Sequence, residues 1–270
     1  MPRICPGGAY SDEMIIDVVV SKYCDLIPIE RYAKMAARGG LIDLPPQSLI
    51  QLTHYLANFV KPIYDKIREE ILKAQVVHAD ETLHKMLEQK GVDLADRRKR
   101  WYLWGFSDNV SSSSFKVHNT RSGDVSSELL KNSLCEYLVS DVFSGYNKSV
   151  RVTNELREES NKPKIYNIYC NAHAYRKFKD LKGTEFDDIK KLYQKIYRLE
   201  AIANRRPNKE RKLKARAKMK PLFEEIKTLS LERLHGHSKK SGASQAMGYF
   251  LRSYDSFIRF IGIAEAPIDN

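Results

Sequence analysis

The hydrophobic period of this chain changes twice, and that change constrains its fold more than any single residue does. From about Asp12 to Ala74 apolar residues recur at helical spacing. "SDEMIIDVVVSKYCDLI" offers Ser11 as an N-cap, and "PPQSLIQLTHYLANFVKPIYDKIREEILKA" keeps the pattern on both sides of Pro62, where a kink or break is predicted. At Gln75 the period shortens. "QVVHADET", "KRWYLWGFS" and "SSSFKVHNT" are β-branched and aromatic runs joined by polar turns, which predicts a strand meander. "SGDVSSELLKN" then carries a helix start, "CEYLVSD" reads as a strand ending on Asp141, and "KIYNIYC" as a strand ending near Cys170. From Ala172 onward the pattern is helical again, interrupted by Gly and Pro.

The predicted order is three strands, helix, strand, short helix, strand. It fits an α/β fold with a mixed sheet of the ribonuclease-H type, antiparallel strands first and helix-connected strands after. Three segments follow: a helical lead-in (1–74), the sheet-bearing core (75–180), and a helical insertion that runs into the start of the last core helices (181–270). A chain of 270 residues is long enough for one large domain or for one domain with an insertion. Its 42% hydrophobic and 30% charged residues suit a soluble globular protein. No apolar run approaches the roughly 20 residues that span a bilayer, and "MPRICPGGAYSDEM" lacks the apolar centre of a secretory signal, so a cytoplasmic location is expected. Cys5, Cys24, Cys135 and Cys170 form no Cys-x-x-Cys pair, which argues against a zinc ribbon or a disulfide framework.

Charge narrows the choice of partner. Lys and Arg number 46 against 34 Asp and Glu, a net charge of +12. Nine of the basic residues fall between 205 and 220 with one acid: Arg205, Arg206, Lys209, Arg211, Lys212, Lys214, Arg216, Lys218 and Lys220. Such a run either contacts a phosphate backbone, where each neutralised phosphate releases counterions, or forms a solvated helix face.

Asp80 and Asp141 share a local context. Each follows a short apolar run, each precedes small or turn residues, and each is predicted at or near a strand end. Alone, each reads as a turn or cap residue. In a sheet of this type, however, the first and fourth strands lie side by side, and two carboxylates brought together repel unless a cation sits between them. Hard oxygen ligands select Mg²⁺ or Mn²⁺, and two such ions support phosphodiester chemistry.

"VVHADET", "YLVSDVFSGYN", "CNAHAYRKFKDL", "IYRLE" and "PIDN", in this order and approximate spacing, resemble the insertion sequence sixty-six family of bacterial DDE transposases. "SKYCDLIPIERYAKMAARGGLIDLPPQSL" is similar to that family's approach to its catalytic core, so the resemblance runs from about Pro6 to Asn270. It implies a ribonuclease-H-like core whose two aspartates and one glutamate bind divalent metal, cut DNA at element ends and join the 3′ ends to a target. The implied partners are element-end and target DNA, further copies of the chain assembled on it, and other element-encoded proteins; the implied setting is the bacterial nucleoid.

Asp80 matches the family's first acid and Asp141 its second. Cys170, His173, Arg176, Lys177 and Phe178 match its cysteine, Ala-His and Arg-Lys-Phe pattern, read either as half a metal site or, preferably, as packing with a polar or DNA-facing contact. Departures matter at both ends. The family's N-terminal DNA-binding and cysteine-rich regions have no counterpart here, and its catalytic glutamate falls beyond Asn270, which makes a truncated, non-catalytic DNA-binding remnant the rival expectation. Glu200 in "IYRLE" is the alternative third acid, with pairing to Arg198, Arg205 or a nearby basic residue as its structural reading. A cellular ribonuclease-H-type nuclease would need a complete acid set within the chain. Leu83 and Asn171 also depart from the family pattern, which often has proline and tryptophan there.

Overall fold

The structure, a computed structural model, describes residues 3–41, 44–84, 100–108 and 110–270. It divides into two compact units at Ile67 and Arg68. In the first unit α1 (Asp12–Tyr23) starts as predicted, with Ser11 Oγ accepting from the Met14 N–H at 3.2 Å and two acids in its first turn. Ile15 and Val18 of α1 pack with Ile29 of α2 (Ile29–Arg38) and with Leu49 and Leu52 from the first turns of α3 (Pro46–Lys73). The break predicted at Pro62 does not occur, because α3 continues through it to Lys73. A proline inside a helix removes one hydrogen bond, and 28 residues supply enough others to carry the helix past it.

The second unit is built on a five-stranded mixed sheet. Its strands are β1 (Val76–His84), β2 (Trp101–Ser107), β3 (Ser113–His118), β4 (Tyr137–Ser140) and β5 (Tyr166–Tyr169), in the spatial order β3-β2-β1-β4-β5. β1 pairs antiparallel with β2, and β2 antiparallel with β3. β4 pairs parallel with β1 and with β5, which requires crossovers. These carry α4 (Asp124–Leu130) and α5 (Ser144–Glu159). The second crossover helix has 16 residues, longer than the short helix the sequence suggests, since it returns the chain past the whole length of the sheet.

Beyond β5 come α6 (Asn171–Lys179), α7 (Asp187–Asn204), α8 (Lys209–Ala217), α9 (Lys220–Leu234), α10 (Gly242–Leu251) and α11 (Tyr254–Ile258), then a 3₁₀ turn at Arg259–Gly262. Their apolar faces meet in an aromatic cluster. Phe250 packs edge-on to Phe178, Tyr193 and Tyr254 and stacks with Phe223 and Phe257. The cluster reaches the sheet through Val139, Ile168 and Tyr169. Emptying the Phe250 site would cost about 3–5 kcal/mol. The ends of β1, β4 and β5 are therefore held on a packed base.

Candidate active site

β1 changes partners along its length, and Asp80 stands where it does so. Val76, Val77 and His78 pair with Tyr137, Leu138 and Val139 of β4, whereas pairing with β2 continues to His84. Asp80 is therefore inside β1 rather than at its end, because β2 supports the strand after β4 has stopped. Asp80 is two residues beyond His78, and Asp141 two residues beyond Val139. Counted on from that register, Asp80 inside β1 falls beside Asp141, the first residue after β4. Gly105 lies opposite Asp80 across the β1–β2 pair, and the Phe115 ring of β3 lies 3.4 Å from where a Gly105 Cβ would stand.

The electrostatics match this geometry. Asp141 is half-buried, and burial raises its pKa; the Asp80 charge adds to the rise, while the Phe143 N–H bonded to Asp141 Oδ1 at 2.9 Å, His173 and Arg121 oppose it. Asp80 is exposed, and its Oδ1 accepts from the following Glu81 N–H at 2.9 Å. Neither aspartate has an ion-pair partner among the described residues.

Glu81, next to Asp80, projects from the opposite face of β1. It accepts from the Tyr146 hydroxyl and from Arg121, whose guanidinium pairs with it at 2.5 Å and lies over the Phe143 ring. Burial is the largest influence on Glu81 and raises its pKa, and both hydrogen bonds oppose that rise. The adjacent acids therefore differ: Asp80 faces open space, and Glu81 is structural. Neither Arg121 nor Tyr146 is prominent in the sequence; the Asp-Glu doublet is the one signal that a buried partner is needed.

A cleft of about 320 Å³ opens beside Asp80, lined by His78, Gly105, Phe106, Asp269 and Asn270 among others. Asn270 closes its wall: its side-chain amide donates to the Ala79 carbonyl at 2.8 Å, its oxygen meets His78 Nδ1 at 3.0 Å, and its backbone N–H reaches Cys170 Sγ at 3.3 Å. Asp269 Oδ1 accepts from the Ala172 N–H at 2.7 Å and from the Tyr197 hydroxyl at 2.9 Å. Cys170 is buried, and burial raises its thiol pKa. It belongs to this packed junction, while His173, one turn into α6, lies near Asp141 with its Nδ1 buried and unbonded. Among the described residues no group of three or more His, Cys, Asp or Glu is placed to hold a metal ion.

The other predicted residues separate. Glu200 is buried and bonded through both carboxylate oxygens to Arg216, at 2.9 and 2.5 Å. Arg216 is fully buried, and its remaining donors go to the Phe260 and Ile263 carbonyls at 2.9 and 2.7 Å. The expectation that Arg216 contacts DNA is therefore corrected: its guanidinium ties α7 and α8 to the 3₁₀ turn. Lys209 pairs with Glu265 and Lys214 with Glu210, and Lys212 is partly buried, which lowers its pKa. Arg205, Arg206, Arg211, Lys218 and Lys220 are exposed, as are Arg176 and Lys177 on α6.

The five-stranded mixed sheet with its surrounding helices defines a mixed α/β protein. The sequence model of the family described as "Transposase IS66 family" matches residues 7–270, and the chain belongs to that family. A transposase function follows from that membership, and DNA is the partner such a function implies. No curated protein matches the chain. No helix among the described residues is long and apolar enough to cross a membrane.

Proposed function

We propose that the chain carries the ribonuclease-H-like core of a DDE transposase and that Asp80 and Asp141 hold Mg²⁺ or Mn²⁺ for DNA strand cleavage and transfer. The single observation that carries this reading is the β1–β4 register, which sets Asp80 beside Asp141 at the end of β4, neither with an ion-pair partner among the described residues. The strand order β3-β2-β1-β4-β5, with antiparallel strands on one side and parallel strands on the other, supports the fold assignment.

The donor set fits a hard divalent cation: both groups are oxygen ligands, and their mutual repulsion is relieved by positive charge. When bound, such ions activate the attacking oxygen and stabilise the leaving one. The protein's own part is positional. The Phe143 N–H fixes one oxygen of Asp141, and β2 keeps β1 extended through Asp80.

Glu200 is not the third ligand in this reading, since Arg216 occupies both of its oxygens. That occupancy favours a second reading, in which the 270 residues bind DNA without cutting it. A cleavage and strand-transfer assay with Mn²⁺ and DNA bearing element ends separates the two. Cutting that Asp80→Asn abolishes supports the catalytic reading; binding without cutting by the unaltered chain supports the second. Loss of DNA binding in Asp80→Asn would contradict both.

A further inference from the structure

The second unit has another depression, larger than the cleft beside Asp80 and opposite in charge. It measures about 670 Å³ and lies between α6, the α9–α10 connection and α10. Lys177, Lys239 and Arg252 line it together with His235, Ser244 and Gln245, and no carboxylate does. His237, at its edge, is paired with Glu185 at 2.8 Å. Among the described residues, no acid pairs with Lys177, Lys239 or Arg252. This is a different condition from the 205–220 run, where Arg216 is buried and Lys209 and Lys214 are neutralised locally.

The groove connects to the acid pair through named contacts. Gln245, Gly248, Tyr249 and Arg252 follow helical spacing along one face of α10. Tyr249 accepts from the N–H of Val142, the residue after Asp141, at 3.3 Å, and its ring lies 4.6 Å from the Lys177 ammonium. Lys177 is one turn beyond His173, which neighbours Asp141. Gly248 helps to place Arg252: a Cβ there would lie 2.9 Å from the Arg252 guanidinium, so the missing side chain lets that guanidinium rest against the helix.

We propose that this groove seats the sugar-phosphate backbone of the DNA strand presented to Asp80 and Asp141, with Lys177, Lys239 and Arg252 as its phosphate contacts. The proposal rests on the transposase reading for the identity of the strand. Three unpaired cations that differ in element but share one depression suit successive phosphates, while Ser244 and Gln245 add neutral donors.

The test compares two triple variants of the full 270-residue chain that remove equal charge: Lys177→Gln/Lys239→Gln/Arg252→Gln, and Arg205→Gln/Arg211→Gln/Lys218→Gln. Binding to a labelled DNA duplex is followed by fluorescence anisotropy with EDTA across a salt series, and unchanged circular dichroism melts establish folding. The groove variant should bind at least about tenfold more weakly, with a salt slope shallower by about 2.7, and the other variant should lose less than about threefold. Equal losses in both, or no loss in the groove variant, would overturn the proposal. A parallel cleavage assay keeps the parent reading separate. If the groove variant loses DNA while the unaltered chain never cuts, the groove stands and catalysis falls. If the unaltered chain cuts and the groove variant binds and cuts equally well, the groove falls alone.

Discussion

Glu200 and Asp141 are both shielded carboxylates in the same unit, yet the structure treats them in opposite ways. Glu200 is given a full partner: Arg216 bonds both of its oxygens and spends its other donors on carbonyls. Asp141 is given one backbone N–H and a second aspartate beside it. The difference separates a carboxylate that holds helices together from two that have no ion-pair partner among the described residues.

The sharpest way to break that distinction is to neutralise those two acids. Asp80→Asn or Asp141→Asn should reduce metal-dependent DNA cutting by about 10²- to 10³-fold or more, because several kcal/mol of charge stabilisation disappear, while thermal stability holds or improves. A variant that cuts normally would dissolve the contrast. Glu200→Ala should behave in the reverse manner and cost about 3–5 kcal/mol in urea denaturation by leaving a buried guanidinium unpaired. The double change Glu200→Leu with Arg216→Met should recover much of that loss, which a metal-binding role for Glu200 would not allow.

Glu81 tests the boundary between the two kinds of acid. Tyr146→Phe removes a hydroxyl that donates to its carboxylate and should cost about 1.5–3 kcal/mol of stability, measured by denaturant titration. The smallest effect belongs to the half-exposed pair of Asp188 and Arg233. Arg233's hydrogen bond is the main cause of a lowered Asp188 pKa, so the folded value lies below the unfolded one of about 3.9. The pair's contribution is therefore present above that value and is lost as pH falls through the folded one. Asp188→Asn should cost about 0.2–1 kcal/mol at neutral pH, and thermal melts near pH 2 should show almost no difference.

The sheet was legible because its strands differ in composition from everything around them. β4 and β5 are short apolar runs bounded by turn residues, and α4 begins at the expected Ser/Asp signal. The strand reading placed Asp80 at or near the end of its strand and Asp141 at the end of another, whereas β1 runs on to His84 and β4 stops one residue before Asp141. What the sequence hides is pairing at long range. Nothing near Arg216 marks it as the one basic residue of its run that turns inward, although Ala215 and Met219 beside it are also buried. The α6–α10 groove was equally hidden, since Lys177, Lys239 and Arg252 are scattered over three segments and form no run. The extension of β1 past Asp80 depends on β2, which hydrophobicity in "DETLH" does not announce.

Asn270 gives the cleft beside Asp80 an unusual kinetic property. Its contacts to His78 and Ala79 span 192 and 191 residues. Contacts of that span form late, because ordering the intervening chain must come first. During synthesis, β1 emerges long before the residues that wall its cleft, and domains fold as their segments become available. The wall of the cleft beside Asp80 can therefore close only once the last residues of its unit are in place.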